Sequence, residues 1–100
     1  MAKKKINTTI YDSAQYLDND EAISAYMEEA LETDDPVFIA KALGTVARAR
    51  GMSQIAKKTG LSRESLYKAL SGEGNPEFGT VIRVMHALGL RFSIAATHAQ

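Results

Sequence analysis

The sequence predicts a mainly α-helical domain with a short C-terminal strand, on three observations. Apolar residues recur at helical spacing in residues 20–32, 36–50 and 77–88. Helix start and stop residues punctuate the chain at Asp35-Pro36, Gly51, Ser53, Gly60, Ser62 and Gly89. Only the last stretch, LRFSIAA at residues 90–96, shifts to partial alternation of apolar and polar side chains. A chain of 100 residues, 45% of them hydrophobic, makes one small domain with a modest core.

From the N-terminus, residues 1–6 read as a loose basic tail and NTTIY, residues 7–11, as a short β-prone segment. Asp12, with Gln15 three residues on, has the arrangement of a capping box and predicts a short helix ending near Leu17. Asp18 and Glu21 repeat that arrangement ahead of a helix over 20–32. On it Ile23, Tyr26, Met27, Ala30 and Leu31 share one face and acids occupy the other. Asp35 as N-cap and Pro36 at the first position open a helix to about Arg50, with Ile39, Leu43, Val46 and Ala47 inward. Gly51 is expected to end it in a left-handed conformation. Ser53 is expected to cap a helix of barely two turns that stops at Gly60, and Ser62 a second running from Arg63 to about Leu70. SGEGNP, residues 71–76, is a turn-rich loop. A last helix over 77–88 carries the stripe Phe78, Val81, Ile82, Met85 and Leu88, and the terminal strand follows.

The formal net charge is zero, but the charges are segregated. Residues 6–40 hold nine acids and no Lys or Arg, whereas residues 41–70 hold seven bases against the single acid Glu64. The absence of cysteine excludes disulfides and thiolate metal sites. His86 and His98 are isolated, adjacent acids such as Glu28 and Glu29 point to different faces of a helix, and no metal-ligand spacing occurs. An enzyme is not expected, nor is a cofactor. No long apolar span and no apolar run behind the first lysines are present, so a cytoplasmic protein is expected.

The stretch SQIAKKTGLSRESLYKAL, residues 53–70, has the spacing of a helix-turn-helix. Ala56 is the small residue at the helix crossing and Gly60, four positions later, tolerates the positive φ of the turn. Ile55, Leu61, Leu66 and Ala69 lock the pair. Arg63, Glu64, Tyr67 and Lys68 fall on the side of the second helix away from Leu66 and Ala69, as a stripe that a major groove can receive. Arg63 suits a bidentate contact to guanine, Glu64 can accept from cytosine or orient Arg63, and Tyr67 and Lys68 can reach base or phosphate. Ser53 and Gln54, at the start of the preceding helix, suit a phosphate, and Ser62, at the second helix's N-terminus, is a further candidate DNA contact.

Residues 50–90, RGMSQIAKKTGLSRESLYKALSGEGNPEFGTVIRVMHALGL, resemble the five-helix, phage-repressor-type helix-turn-helix. Through GLSRESLYKALSGEGNP and TVIRVMHALGL they are more specifically similar to the probable addiction-module antidote proteins. YDSAQYL, LDNDEAISAYMEEAL and DDPVFIAKALGTVARARGMSQIA extend the likeness over nearly the whole chain. The resemblance implies a cytoplasmic antitoxin that neutralises a small toxin of the RelE/ParE class and represses its own operon. A single helix-turn-helix makes few contacts, so a homodimer on an operator palindrome is expected, with residues 90–96 as the candidate contact between copies unless that strand pairs with residues 8–11 of its own chain. Charge and element order divide the chain into an acidic helical extension over 1–35, expected to contact the toxin, and a helix-turn-helix domain with its C-terminal strand over 36–100.

Opposite charge favours a basic toxin on the acidic half. Glu28, Glu29 and Glu32 are the candidate contacts there, with Tyr11, Tyr16 and Leu17 as apolar anchors. The alternative is a phage-type or chromosomal transcriptional repressor with no toxin partner, for which the acidic block has no evident use. A protein–protein adaptor that has lost DNA contact is a further possibility. Met27, Met52 and Met85 are expected in the core, and Tyr26 in the core or at a partner surface.

Overall fold

A computed structural model describes residues 17–97. They form five helices: α1 (Asp20–Leu31), α2 (Pro36–Arg50), α3 (Met52–Thr59), α4 (Arg63–Ala69) and α5 (Phe78–Ala87). The basic tail, the segment at 7–11 and the short helix expected after Asp12 lie outside the described residues, Leu17 excepted. The domain is mainly helical, as expected, and no described helix is long and apolar enough to cross a membrane.

Local chemistry sets most of the boundaries. The Asp35 carboxylate accepts from the Val37 and Phe38 amides at 3.0 and 3.4 Å, with Pro36 at the first position of α2. Ahead of α1 the cap is Asn19, not Asp18. The Asn19 side-chain oxygen accepts from Ala22 N–H at 2.8 Å, while Asp18 accepts from the Asn19 amide group at 3.2 Å. Both residue types can cap, so only the backbone conformation decides between neighbours. The φ of Gly51 is positive, but its ψ of 109° lies outside the left-handed helical region.

All five helices feed one core. Its largest fully buried members are Ile23 from α1, Leu43 and Val46 from α2, Ile55 from α3, Leu66 from α4 and Val84 from α5. The acidic segment and the basic segment therefore share a single hydrophobic cluster. α2 packs on α1, α3 and α4, and α3 packs on α4 and α5. Met27, Met52 and Met85 are buried and Tyr26 packs partly buried against the same cluster. An ion pair joins the two charge blocks, Arg50 to Asp20 at 2.6 Å.

Two expectations near the C-terminus are corrected. Phe78 is 72% exposed rather than core. It is the first residue of α5 and overhangs the end of the core, while Val84, one turn before Leu88, fills the inward position. Residues 90–97 contain no helix, turn or bend, yet no strand forms among the described residues. A strand is defined by its ladder, and among the described residues no hydrogen bond reaches the backbone of residues 91–96.

Candidate nucleic-acid interface

α3 and α4 are joined by a turn of three residues, Gly60 to Ser62. Gly60 caps α3 with φ +78°, ψ 9°, and donates its N–H to the Ala56 carbonyl at 2.9 Å. This left-handed position costs a residue with a Cβ roughly 1–2 kcal/mol. The Thr59 hydroxyl donates to the Ile55 carbonyl at 2.8 Å and accepts from Leu61 N–H at 3.2 Å, so the turn is tied to α3 on both sides. Ser62 then caps α4, its hydroxyl oxygen accepting from Ser65 N–H at 3.0 Å. The same hydroxyl lies 3.0 Å from the Ser65 hydroxyl, to which it donates. Ser62 thus has a local structural task.

Apolar packing orients α4. Leu66 and Ile55 are 0% and 1% exposed, and Leu61, Ala56 and Ala69 pack partly buried beside them. With that side turned inward, Arg63, Glu64, Tyr67 and Lys68 are all exposed, Tyr67 at 44%. Among the described residues none of these four takes part in a salt bridge, so none is held there by a partner of opposite charge. A shallow groove of ≈ 580 Å³ runs from Ser53 and Lys57 of α3 across Gly60 to Ser62 and Arg63. A second, of ≈ 410 Å³, lies on the other flank between Ser65, Lys68 and the loop at Gly74 to Glu77. The exposed helix thus stands between two open channels.

Ser53 and Gln54 are exposed near the start of α3, but the expected capping role of Ser53 is not observed. Gly51 is the N-cap, without a side chain to accept, and Ser53 is already helical. Gly51 serves as C-cap of α2 and N-cap of α3 together, which moves the helix start upstream of the serine. The Gln54 amide donates to the Gly51 carbonyl at 3.1 Å, leaving its side chain as the group free to meet a ligand.

Gly44 is a positioning residue that sequence reasoning missed. A Cβ built on it would stand 2.9 Å from the Leu70 carbonyl oxygen and 3.3 Å from the Leu70 Cβ, so its bare backbone sets how closely α2 approaches the end of α4. Helical periodicity shows which residues face inward but not which must lack a side chain, so no local signal marks it. Gly44→Ala is expected to destabilise the fold by about 1–3 kcal/mol through overpacking and to lower the melting temperature in a thermal scan. An unchanged melting temperature would mean that α4 can shift without cost.

The acidic face lies elsewhere. Glu28, Glu29 and Glu32 are exposed on and just after α1. Leu17 is 4% exposed and belongs to the core, so it is not available as a surface anchor. Tyr11 and Tyr16 lie outside the described residues. Two large apolar side chains at the start of α2, Val37 at 44% and Phe38 at 48% exposure, stand on the surface beyond the acids Asp34 and Asp35. No group of three or more His, Cys, Asp or Glu with the arrangement of a metal site occurs among the described residues.

Residues 7–96 match the protein family described as "Probable addiction module antidote protein". A Haemophilus influenzae protein, itself described only as "Uncharacterized protein", is 54% identical over 84 residues, covering 84% of this chain and 87% of that protein. No solved structure matches. The match spans all five helices, the exposed stripe of α4 and the acidic face of α1 alike, and the chain belongs to the probable addiction module antidote family.

Proposed function

We propose that this chain is an antitoxin that neutralises a small basic toxin of the RelE/ParE class and represses its own operon by sequence-specific binding to duplex DNA. The observation that carries the DNA half is the placement of Arg63, Glu64, Tyr67 and Lys68. They form an exposed stripe on a short helix whose opposite side is locked by a fully buried leucine. α3 and α4 act as a helix-turn-helix of phage-repressor type, with α4 entering the major groove. Arg63, in the first turn of α4, reads a guanine edge, and Lys57 and the α3 start follow the phosphate backbone along the adjoining groove. A helix of seven residues reaches few base pairs, so two copies bind a palindrome about a two-fold axis. The toxin half is supported by family membership and by the exposed acids of α1. Both roles are binding roles and need no catalytic residue; the compartment is the cytoplasm.

Arg63→Ala is expected to cost about 1–3 kcal/mol on the specific site and to relax base preference at one position. Lys57→Ala is expected to weaken all duplexes alike and to reduce the salt slope. Gel-shift titration on the duplex upstream of the chain's own reading frame measures both. Unchanged specific affinity in Arg63→Ala would remove it from base reading.

One observation favours the second reading, a repressor without a toxin. α1 contributes Ile23, Met27 and Ala30 to the common core, so the acidic segment has a structural use whether or not a toxin binds its outer face. Growth rescue on co-expression with the neighbouring reading frame separates the two.

A further inference from the structure

Two of the exposed large hydrophobic side chains meet at the C-terminal end of the domain, and a third, Ile94, lies two residues beyond Phe92 in sequence. Phe78, at the start of α5, is 72% exposed and stacks on Phe92, itself 38% exposed, with ring centroids 6.1 Å apart and planes 26° apart. Ile94 is 98% exposed. These residues belong to, or touch, a segment whose backbone is unused. Leu90 is fastened by its N–H to the Met85 carbonyl at 2.9 Å, and beyond it, among the described residues, the backbone groups of 91–96 have no partner. Such a segment, unbent and free of Gly and Pro, is an open template for another strand.

We propose that residues 90–96 form the contact between two copies of this chain, by antiparallel pairing of the segment with itself about a two-fold axis at Ser93. The register follows from charge and side-chain alternation. Arg91 is the only charged residue of the segment. Centring on Ser93 sets Arg91 opposite Ala95 of the second copy, so the two arginines do not face each other. Phe92 meets Ile94, an aromatic–β-branched pair, and Leu90 meets Ala96. The Phe78 rings flank the pairs and extend the apolar surface onto α5. The occupant is a second copy rather than the toxin because the segment's own side chains are mostly apolar, with Arg91 as its one charge, and complementary to themselves; Glu28 of α1 borders the groove beside it, which is why the test includes a toxin arm. The proposal rests on the DNA-binding reading only in supplying the dimer that a palindrome needs; the interface can exist without it.

The test uses the full chain and the absence of native cysteine. Light scattering is expected to give the mass of a dimer for the wild type and half of it for Ile94→Arg, whose near-complete exposure leaves the fold intact by circular dichroism. Under mild oxidation Ser93→Cys is expected to give a covalent dimer, and Glu73→Cys, in the exposed loop before α5, to stay monomeric on a denaturing gel. On the operator duplex Ile94→Arg is expected to lose roughly 100-fold in affinity, the usual scale of bivalent gain. A monomeric wild type overturns the interface, as does a dimer that survives Ile94→Arg while Ser93→Cys stays unlinked. Protection of the Ser93→Cys thiol only after toxin is added also overturns it and gives the segment to the toxin. Covalent dimer formation together with no specific duplex binding by any variant upholds the interface and removes the DNA reading alone.

Discussion

Leu66→Ala is expected to lose about 2–5 kcal/mol of folding stability, measured by chemical denaturation. Small domains hold about 5–15 kcal/mol in total, so the variant would be marginal or unfolded at growth temperature. The cause is its place: Leu66 is 0% exposed and is the one fully buried side chain of α4. A helix of seven residues has little stability of its own and is kept helical by the face it buries. Removing that anchor leaves a cavity among Ile55, Leu70 and their neighbours and frees the stripe borne on the same helix. Tyr67→Ala, one residue on and on the exposed side, is expected to stay within about 0.5 kcal/mol of wild type. A loss below about 1 kcal/mol in Leu66→Ala would show that the turn and the Ser62 cap hold α4 without the core.

That contrast between adjacent residues was legible in the sequence because it is local. Gly60, Ser62, Leu66 and the four exposed residues lie within one short stretch, where helical period alone sorts inside from outside. The Asp35-Pro36 start and the core positions of α2 were legible for the same reason. What sequence reasoning missed depends on contacts between segments. Gly44 matters only because Leu70 approaches it, and Asp20 meets Arg50 thirty positions away in sequence. Ser53 failed as a cap because Gly51 serves two helices at once, and Phe78 failed as a core residue because α5 begins at the core's edge. The alternation of residues 90–96 predicted a strand that does not form among the described residues, because a strand needs a partner segment and they supply none.

The two faces of the domain can be perturbed separately because both hang on one core. Ile23, Met27 and Ala30 hold α1 from within, and Leu66 holds α4. A substitution on the outer side of α1 therefore leaves the α4 stripe in place. An antitoxin that binds toxin and operator at once needs that independence, and a phenotype in one assay but not the other is its signature.

On the proposed antitoxin reading, reversing Glu28, Glu29 and Glu32 to Lys together is expected to abolish growth rescue on co-expression with the product of the neighbouring reading frame. All three side chains are exposed and make no salt bridge among the described residues, so the variant is expected to match wild type in its circular dichroism spectrum and in operator binding. A toxin that works on RNA must approach phosphate and is expected to be basic, so acids here speed encounter and fix the partner, while lysines repel it. Charge alone does not make a tight seat. Leu17 is buried, so among the described residues Val37 and Phe38 at the start of α2 are the exposed apolar candidates, beside Tyr11 and Tyr16 expected from the sequence. Phe38→Ala should then weaken the complex in a calorimetric titration by about 1–2 kcal/mol or more, and it should do so at high salt as well as low. The charge reversal should lose most of its effect as salt rises. Full rescue by the triple variant would reduce these acids to a solvated face and send the search for the toxin's seat to the other side of the domain.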